Sequence, residues 1–155
     1  MKGNEKVIAM LNEFLADELT AVSQYMVHSE MCDAWGYGKL HKAIEKRAIE
    51  EMKHAEALIG RILSLEGMPI VNQLNKMSIG DSVEKQLKND LEAEDGAIKA
   101  YNKGISLCLE VGDNGTRSLI DANLKDEETH LGWLETQLDQ IQQMGLQIYL
   151  QSQSG

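Results

Sequence analysis

Six carboxylate and imidazole side chains fall into two sets at one constant interval. Glu18 is followed by Glu51-Met52-Lys53-His54 and Glu94 by Glu127-Glu128-Thr129-His130, with Glu94, Glu127 and His130 each 76 positions after Glu18, Glu51 and His54. A Glu and a His three residues apart on a helix lie side by side, so one helix can offer one cation both an oxygen and a nitrogen. Four carboxylates and two imidazoles make an oxygen-rich donor set with one nitrogen for each of two metals. That set suits iron or manganese better than a tetrahedral thiolate zinc site. A single Glu-x-x-His is weak, commonly a solvated helix face with a chance histidine. Two copies, each with a further carboxylate at the same interval, carry the argument.

The elements that must position these groups repeat at the same interval. Leu11, Leu15, Val22, Leu58 and Ile62 land on Leu87, Leu91, Ile98, Leu134 and Leu138, the pattern of a duplicated helical hairpin. Apolar residues at helical spacing predict an all-α chain forming one domain over residues 1–155, an antiparallel four-helix bundle. The expected helices cover residues 4–34, 39–66, 81–111 and 116–144, with a short fifth piece over 146–151 and a loose polar tail over 151–155. Gly67 suits a left-handed position after the second helix, and Pro69 forbids its continuation. Residues 67–80 are then long enough to cross the bundle, leaving the second and third helices parallel. Asp81 with Glu84 reads as the capping pair of the third helix.

On these helices the acids stand where leucines belong. The fourth seam runs Ile120, Leu124, Glu127, Leu134, and the third runs Leu87, Leu91, Glu94, Ile98. Glu18 lies between Leu15 and Val22, and Glu51 between Ile44 and Leu58. Four inward carboxylates at one level cost several kcal/mol each unless cations compensate them. Glu50, Glu92 and Glu128 fall about 100–200° off their seams and read as solvated or cavity-facing charges. Tyr25, two turns beyond Glu18, has Tyr101 as its counterpart; a buried tyrosine needs a hydrogen-bond partner, and beside a di-iron centre it can also donate an electron. His28 and His41 fit neither ligand position and read as surface or satisfied histidines.

The chain carries 15 Lys+Arg against 25 Asp+Glu, a formal charge of −10. That balance disfavours nucleic acid and favours cations. Cys32 and Cys108 form no CxxC and read as reduced thiols of a cytoplasmic protein. No apolar run reaches membrane-spanning length, and the first six residues lack a signal-peptide core.

The stretches MKGNEKVIAMLNEFLADELTAVSQY, EEMKHAEALIGRILSLEGMP and DEETHLGWLETQLDQIQQMGLQIYLQSQ, with the six ligand candidates, resemble the bacterioferritins over nearly the whole chain. The resemblance implies a ferritin-like bundle with a long crossover and a short fifth helix, in a cytoplasmic iron-storage shell of 24 subunits. Glu18, Glu51, His54, Glu94, Glu127 and His130 match the family's di-iron ferroxidase ligands, where iron(II) is oxidised by dioxygen or hydrogen peroxide. Met52 matches the methionine that each of two subunits gives to a haem b between them, so the shell is built from haem-bridged dimers. An associated ferredoxin is the implied electron donor for iron release. Lys46 and Glu50 depart from a His and an Asp that form an extra inner-surface iron site in some members, and Met26 and Ser23 alter the surroundings of the haem. Three other readings compete. A rubrerythrin-like di-iron oxidase or peroxidase would share the ligands, but the chain has no four-cysteine rubredoxin segment. A haem-free ferritin would keep the same di-iron chemistry. A DNA-protecting shell places its iron sites between subunits and is opposed by the charge.

Overall fold

The computed structural model describes residues 1–155. Five helices follow one another: α1 over Glu5–Ala34, α2 over Gly38–Ser64, α3 over Val83–Val111, α4 over Asn114–Met144 and α5 over Leu146–Ser152. Their directions can be read from cross-helix side-chain pairs. Cys32 meets Gln86, His28 meets Asp90, Tyr25 meets Glu94 and Glu18 meets Tyr101, so α1 and α3 run antiparallel. Arg61 meets Asp113, His54 meets Asp126 and Glu50 meets His130, so α2 and α4 do too. The short α1–α2 connection makes that pair antiparallel, and α2 and α3 therefore run parallel, as the long connection requires.

Local chemistry sets the helix ends. Asn4 accepts N–H bonds from Lys6 and Val7 at the start of α1. Asp113 caps α4 at Thr116 and is held by Arg61, which ties the end of α2 to the start of α4. Three expectations need correction. The left-handed residue after α2 is Glu66, at φ 62°, not Gly67. It completes a Schellman closure in which Gly67 N–H reaches Ile62 O and Glu66 N–H reaches Leu63 O. Gly67 is needed for space, since a Cβ there would lie 2.8 Å from Ile8 Cγ2. At α3 the cap is Ser82, which accepts from Lys85 N–H, while Asp81 forms an ion pair with Lys85. The tail is not loose: Gln153 O accepts from Lys39 N–H, and Gly155 packs against Gly38. Gly145, at φ 84°, separates α4 from α5, and α5 docks through buried Tyr149, whose hydroxyl donates to Gln137.

The core is split in two. One apolar cluster gathers Val7, Leu11, Leu15, Leu58, Ile62 and Ile120; the other gathers Cys32, Leu40, Ile44, Leu87, Leu134 and Tyr149. Between them lies a polar level containing Glu18, Glu51, His54, Glu94, Glu127 and His130, all buried.

The crossover has no helix or strand of its own, and α1 satisfies its backbone. Ile70 N–H donates to Asn12, Asn75 N–H to Thr20, Ser78 N–H to Gln24 and Gly80 N–H to His28 Nε2, at 2.8 to 3.0 Å. The acceptors are whole multiples of four residues apart and so share one face of α1. Gly80 is required here, because a Cβ would stand 2.4 Å from Gln86 N. Thr20→Val keeps the shape of the side chain but leaves Asn75 N–H without its acceptor. It is expected to cost about 1 kcal/mol in denaturant unfolding and to speed amide exchange at Asn75 and Ser78 more than elsewhere.

Candidate metal centre

All six candidates meet at the polar level, one carboxylate from each of the four long helices. Their donor atoms form two overlapping groups: Glu18, Glu51, His54 and Glu127 in one, Glu51, Glu94, Glu127 and His130 in the other, with the atoms of each group within 4.8 Å of one another. Glu51 and Glu127 belong to both. His54 Nδ1 lies 2.9 Å from Glu127 Oε1 and 3.4 Å from Glu51 Oε2; His130 Nδ1 lies 3.1 Å from Glu51 Oε1 and 3.6 Å from Glu94 Oε1. These approaches lack hydrogen-bond alignment. Glu18 Oε2, Glu51 Oε1, His54 Nδ1, Glu94 Oε2, Glu127 Oε1 and His130 Nδ1 are all buried without a hydrogen-bond partner. Buried polar atoms are nearly always paired, so six convergent orphans point to a shared missing partner.

Groups around the six repeat their approximate twofold relation. Tyr25 donates to Glu94, and its counterpart Tyr101 donates to Glu18, so each first-helix carboxylate is held by the tyrosine of the other hairpin. Burial raises both phenols well above their ordinary pKa, with Glu94 and Glu18 respectively adding to it, and keeps both protonated donors. His54 Nε2 lies 2.8 Å from Asp126, and His130 Nε2 pairs with Glu50. A carboxylate behind each imidazole fixes the ring and directs Nδ1 at the cluster.

Seam position alone does not single out Asp126, and it places Glu50 among the solvated or cavity-facing charges. The structure corrects the latter. Glu50 is bound to His130 and to Arg47, and despite partial burial these bonds bring its carboxyl below its ordinary range. The signal was available, because Asp126 lies 76 positions after Glu50 and each immediately precedes a cluster glutamate. His28 is fully buried and satisfied between Asp90 and Gly80 N–H, and His41 pairs with Ser29. Met52 stands away from the cluster, half-exposed beside Met26 in a groove that also includes Val22, Ala48 and Ile49.

A scan of family models matches a ferritin-like domain over residues 8–144. The chain is 42% identical to a bacterioferritin of Rhodobacter capsulatus over 147 residues, covering 95% of this chain and 91% of that one. The chain belongs to the bacterioferritin family. It is 41% identical over 149 residues to a bacterioferritin of Brucella melitensis, covering 96% of this chain and 92% of the relative. For the bacterioferritin of Mycobacterium avium the identity is 38%, covering 96% and 94%. No helix of this bacterioferritin-family chain is long and apolar enough to cross a membrane.

Without metal, protons take up the charge. Burial pushes the Glu51 carboxyl well above the usual range, with Glu18 adding to it, and burial with the neighbouring Glu94 pushes Glu127 up to about 12. Against the effect of burial, the neighbouring Glu127, Glu18 and Glu51 raise the His54 imidazole above its ordinary range, and Glu94 is foremost in raising that of His130. Glu94 itself is brought below its ordinary range, against burial, by the neighbouring Glu127 and His130. Glu51, Glu127, His54 and His130 thus hold their protons to higher pH than they do in the unfolded chain. The contribution of Glu51 and Glu127 to stability is whole below their ordinary 4.5 and declines as pH rises from there; that of the imidazoles is whole below 6.5 and declines above. Glu94 acts oppositely, but its contribution is lost only as pH falls below 4.5. Chelator-treated protein should therefore lose thermal stability between about pH 6 and about pH 9. Co(II) added near neutral pH should release protons from these groups, measured by calorimetry in buffers of different ionisation enthalpy.

Proposed function

We propose that this chain binds two iron(II) ions per subunit, oxidises them to iron(III) and stores the product inside a shell of its own copies. The observation that carries the reading is the convergence of six buried, unpartnered donor atoms on one level. In this assignment Glu18 with His54 and Glu94 with His130 would each hold one iron, and Glu51 and Glu127, common to both groups, would be shared by the two. Dioxygen would accept one electron from each iron and two protons and leave as hydrogen peroxide, and hydrogen peroxide would accept the same and leave as two waters. The surrounding residues contribute preorganisation: Asp126 and Glu50 hold the imidazoles, while Tyr25 and Tyr101 hold the terminal carboxylates. Tyr25 is also the candidate for an additional electron. Rapid iron(II) oxidation, in a phase proportional to the number of chains, is the expected result in stopped-flow absorbance. Glu94→Ala or Glu127→Ala should abolish that phase with the helical circular dichroism intact. Survival of the phase in both variants would remove the assignment.

The reading extends to haem b and to the assembly. Met52 and Met26 are 45% and 52% exposed on a groove of about 290 Å³. A thioether on an apolar face fits axial ligation of haem iron. One groove covers one side of such a group, so a twofold axis would bring Met52 from each of two chains to a shared haem. The shell is then a homo-oligomer of 24 copies built from such dimers, cytoplasmic, with a ferredoxin supplying electrons for release. Exposed Leu63, Met68, Val71, Leu74 and Ile148 give further apolar surface to cover. Reconstitution with haem should yield one low-spin haem per two chains in a particle far larger than a dimer by light scattering. Met52→Leu should lose the haem and retain iron oxidation. Wild-type protein that takes up no haem would leave a haem-free ferritin.

A further inference from the structure

Two cavities reach the six central side chains, and they differ greatly in size. A slot bordered by Arg47, Asp90, Trp133 and Leu134 holds about 10 Å³, at or below what one water molecule needs. The other holds about 290 Å³ and lies between α1 and α3 beneath the crossover. Its depth is lined by Glu18, Glu51, Glu94 and Glu127, and its mouth by Asp17 and Glu92, which are exposed. Small residues make the space: Ala21 on α1, and Ala93, Gly96 and Ala97 on α3. A Cβ built on Gly96 would meet no atom within 4 Å.

Charge along this cavity is one-sided. Six carboxylates line it against one ammonium, Lys76. A cleft of one sign with low-dielectric walls concentrates counter-ions and speeds their arrival. Asp17 is fixed in place by the crossover, since Asn75 donates its side-chain N–H to Asp17 while its backbone N–H is held by Thr20. At the inner end, the unpartnered oxygens of Glu18, Glu51, Glu94 and Glu127 are the next acceptors a cation would meet.

We propose that divalent cations reach the centre through this cavity, and that Asp17 and Glu92 are positioning residues at its mouth that exchange hydration water for carboxylate oxygen before the cation moves inward. The inference rests on reading the six central residues as a metal site. Asp17 and Glu92 belong to neither donor group, so they act on the path and not on the bound state. A group that lowers the barrier of a path lowers it in both directions. Its removal therefore slows association and dissociation by the same factor and leaves the equilibrium affinity unchanged, whereas loss of a ligand weakens affinity and speeds release.

The test is stopped-flow binding of Co(II) to the metal-free full-length protein, followed by its visible absorption, with release measured by chelator competition. The Asp17→Asn, Glu92→Gln double variant is expected to bind and release Co(II) about tenfold more slowly, at unchanged affinity and with a weaker dependence of the association rate on ionic strength. Gly96→Leu, which fills the cavity and improves helix propensity, should slow both rates similarly without lowering thermal stability. Wild-type rates in both variants would overturn the route, and so would weakened affinity with faster release in the double variant, which would make Asp17 and Glu92 ligands. A wild-type protein that shows no Co(II) spectrum sensitive to Glu127→Ala would overturn the metal-site reading itself, and the route with it.

Discussion

Four carboxylates buried at one level of a helical bundle cannot all remain charged without positive charge among them. The rest of the architecture is arranged around that constraint. The apolar core is interrupted, with one cluster around Leu11 and Leu58 and another around Leu40 and Leu134 on either side of the acids. Leucines at the four acidic positions would join the two clusters and stabilise the bundle by burial alone. The metal-free chain instead retains protons on Glu51, Glu127, His54 and His130. Protons and metal cations would therefore compete for the same donors, each displacing the other.

Preorganisation comes from outside the cluster. Four of the six central side chains touch a group outside the cluster that limits their rotation: phenols on Glu94 and Glu18, carboxylates on the two imidazoles. The crossover contributes in the same way at longer range. Its backbone is bonded to Asn12, Thr20, Gln24 and His28, which pins the irregular segment to the helix carrying Glu18. An irregular stretch over a buried polar site would otherwise leave N–H groups unsatisfied. The polar stripe on α1 answers that need and places Asn75 and Lys76 beside the cavity.

Much of this was legible in the chain because it is written in periodicity. The interval shared by Glu18, Glu51 and His54 with Glu94, Glu127 and His130 picked out the six side chains that meet at the polar level, and the seams on which they lie gave the helices and their inward faces. Interactions that depend on side chains from different helices were harder to read. Asp126 looks like one acid among several in Lys125-Asp126-Glu127-Glu128, and only the approach of α4 to α2 makes it the partner of His54. The polar run Asn12, Thr20, Gln24, His28 carries no signal of its own until an extended segment is laid along it. Glu66, not the adjacent glycine, took the left-handed turn, because packing against Ile8 and Ile62 had already claimed Gly67 for its lack of a side chain.

The two hairpins match where they face the centre and differ where they face outward. Met26 and Met52 form an apolar flank on the first hairpin, whereas the positions 76 further on are Asn102 and Glu128, both exposed and polar. Joining the copies in one chain allows this difference, which two separate identical hairpins could not have. It also fixes valency. A chain with methionines at all four positions would present the same adhesive flank on two sides and could link into open-ended strings. With one flank, a contact between copies made through it would be self-complementary and close into a pair, and any growth beyond the pair would use other surfaces and could be controlled separately.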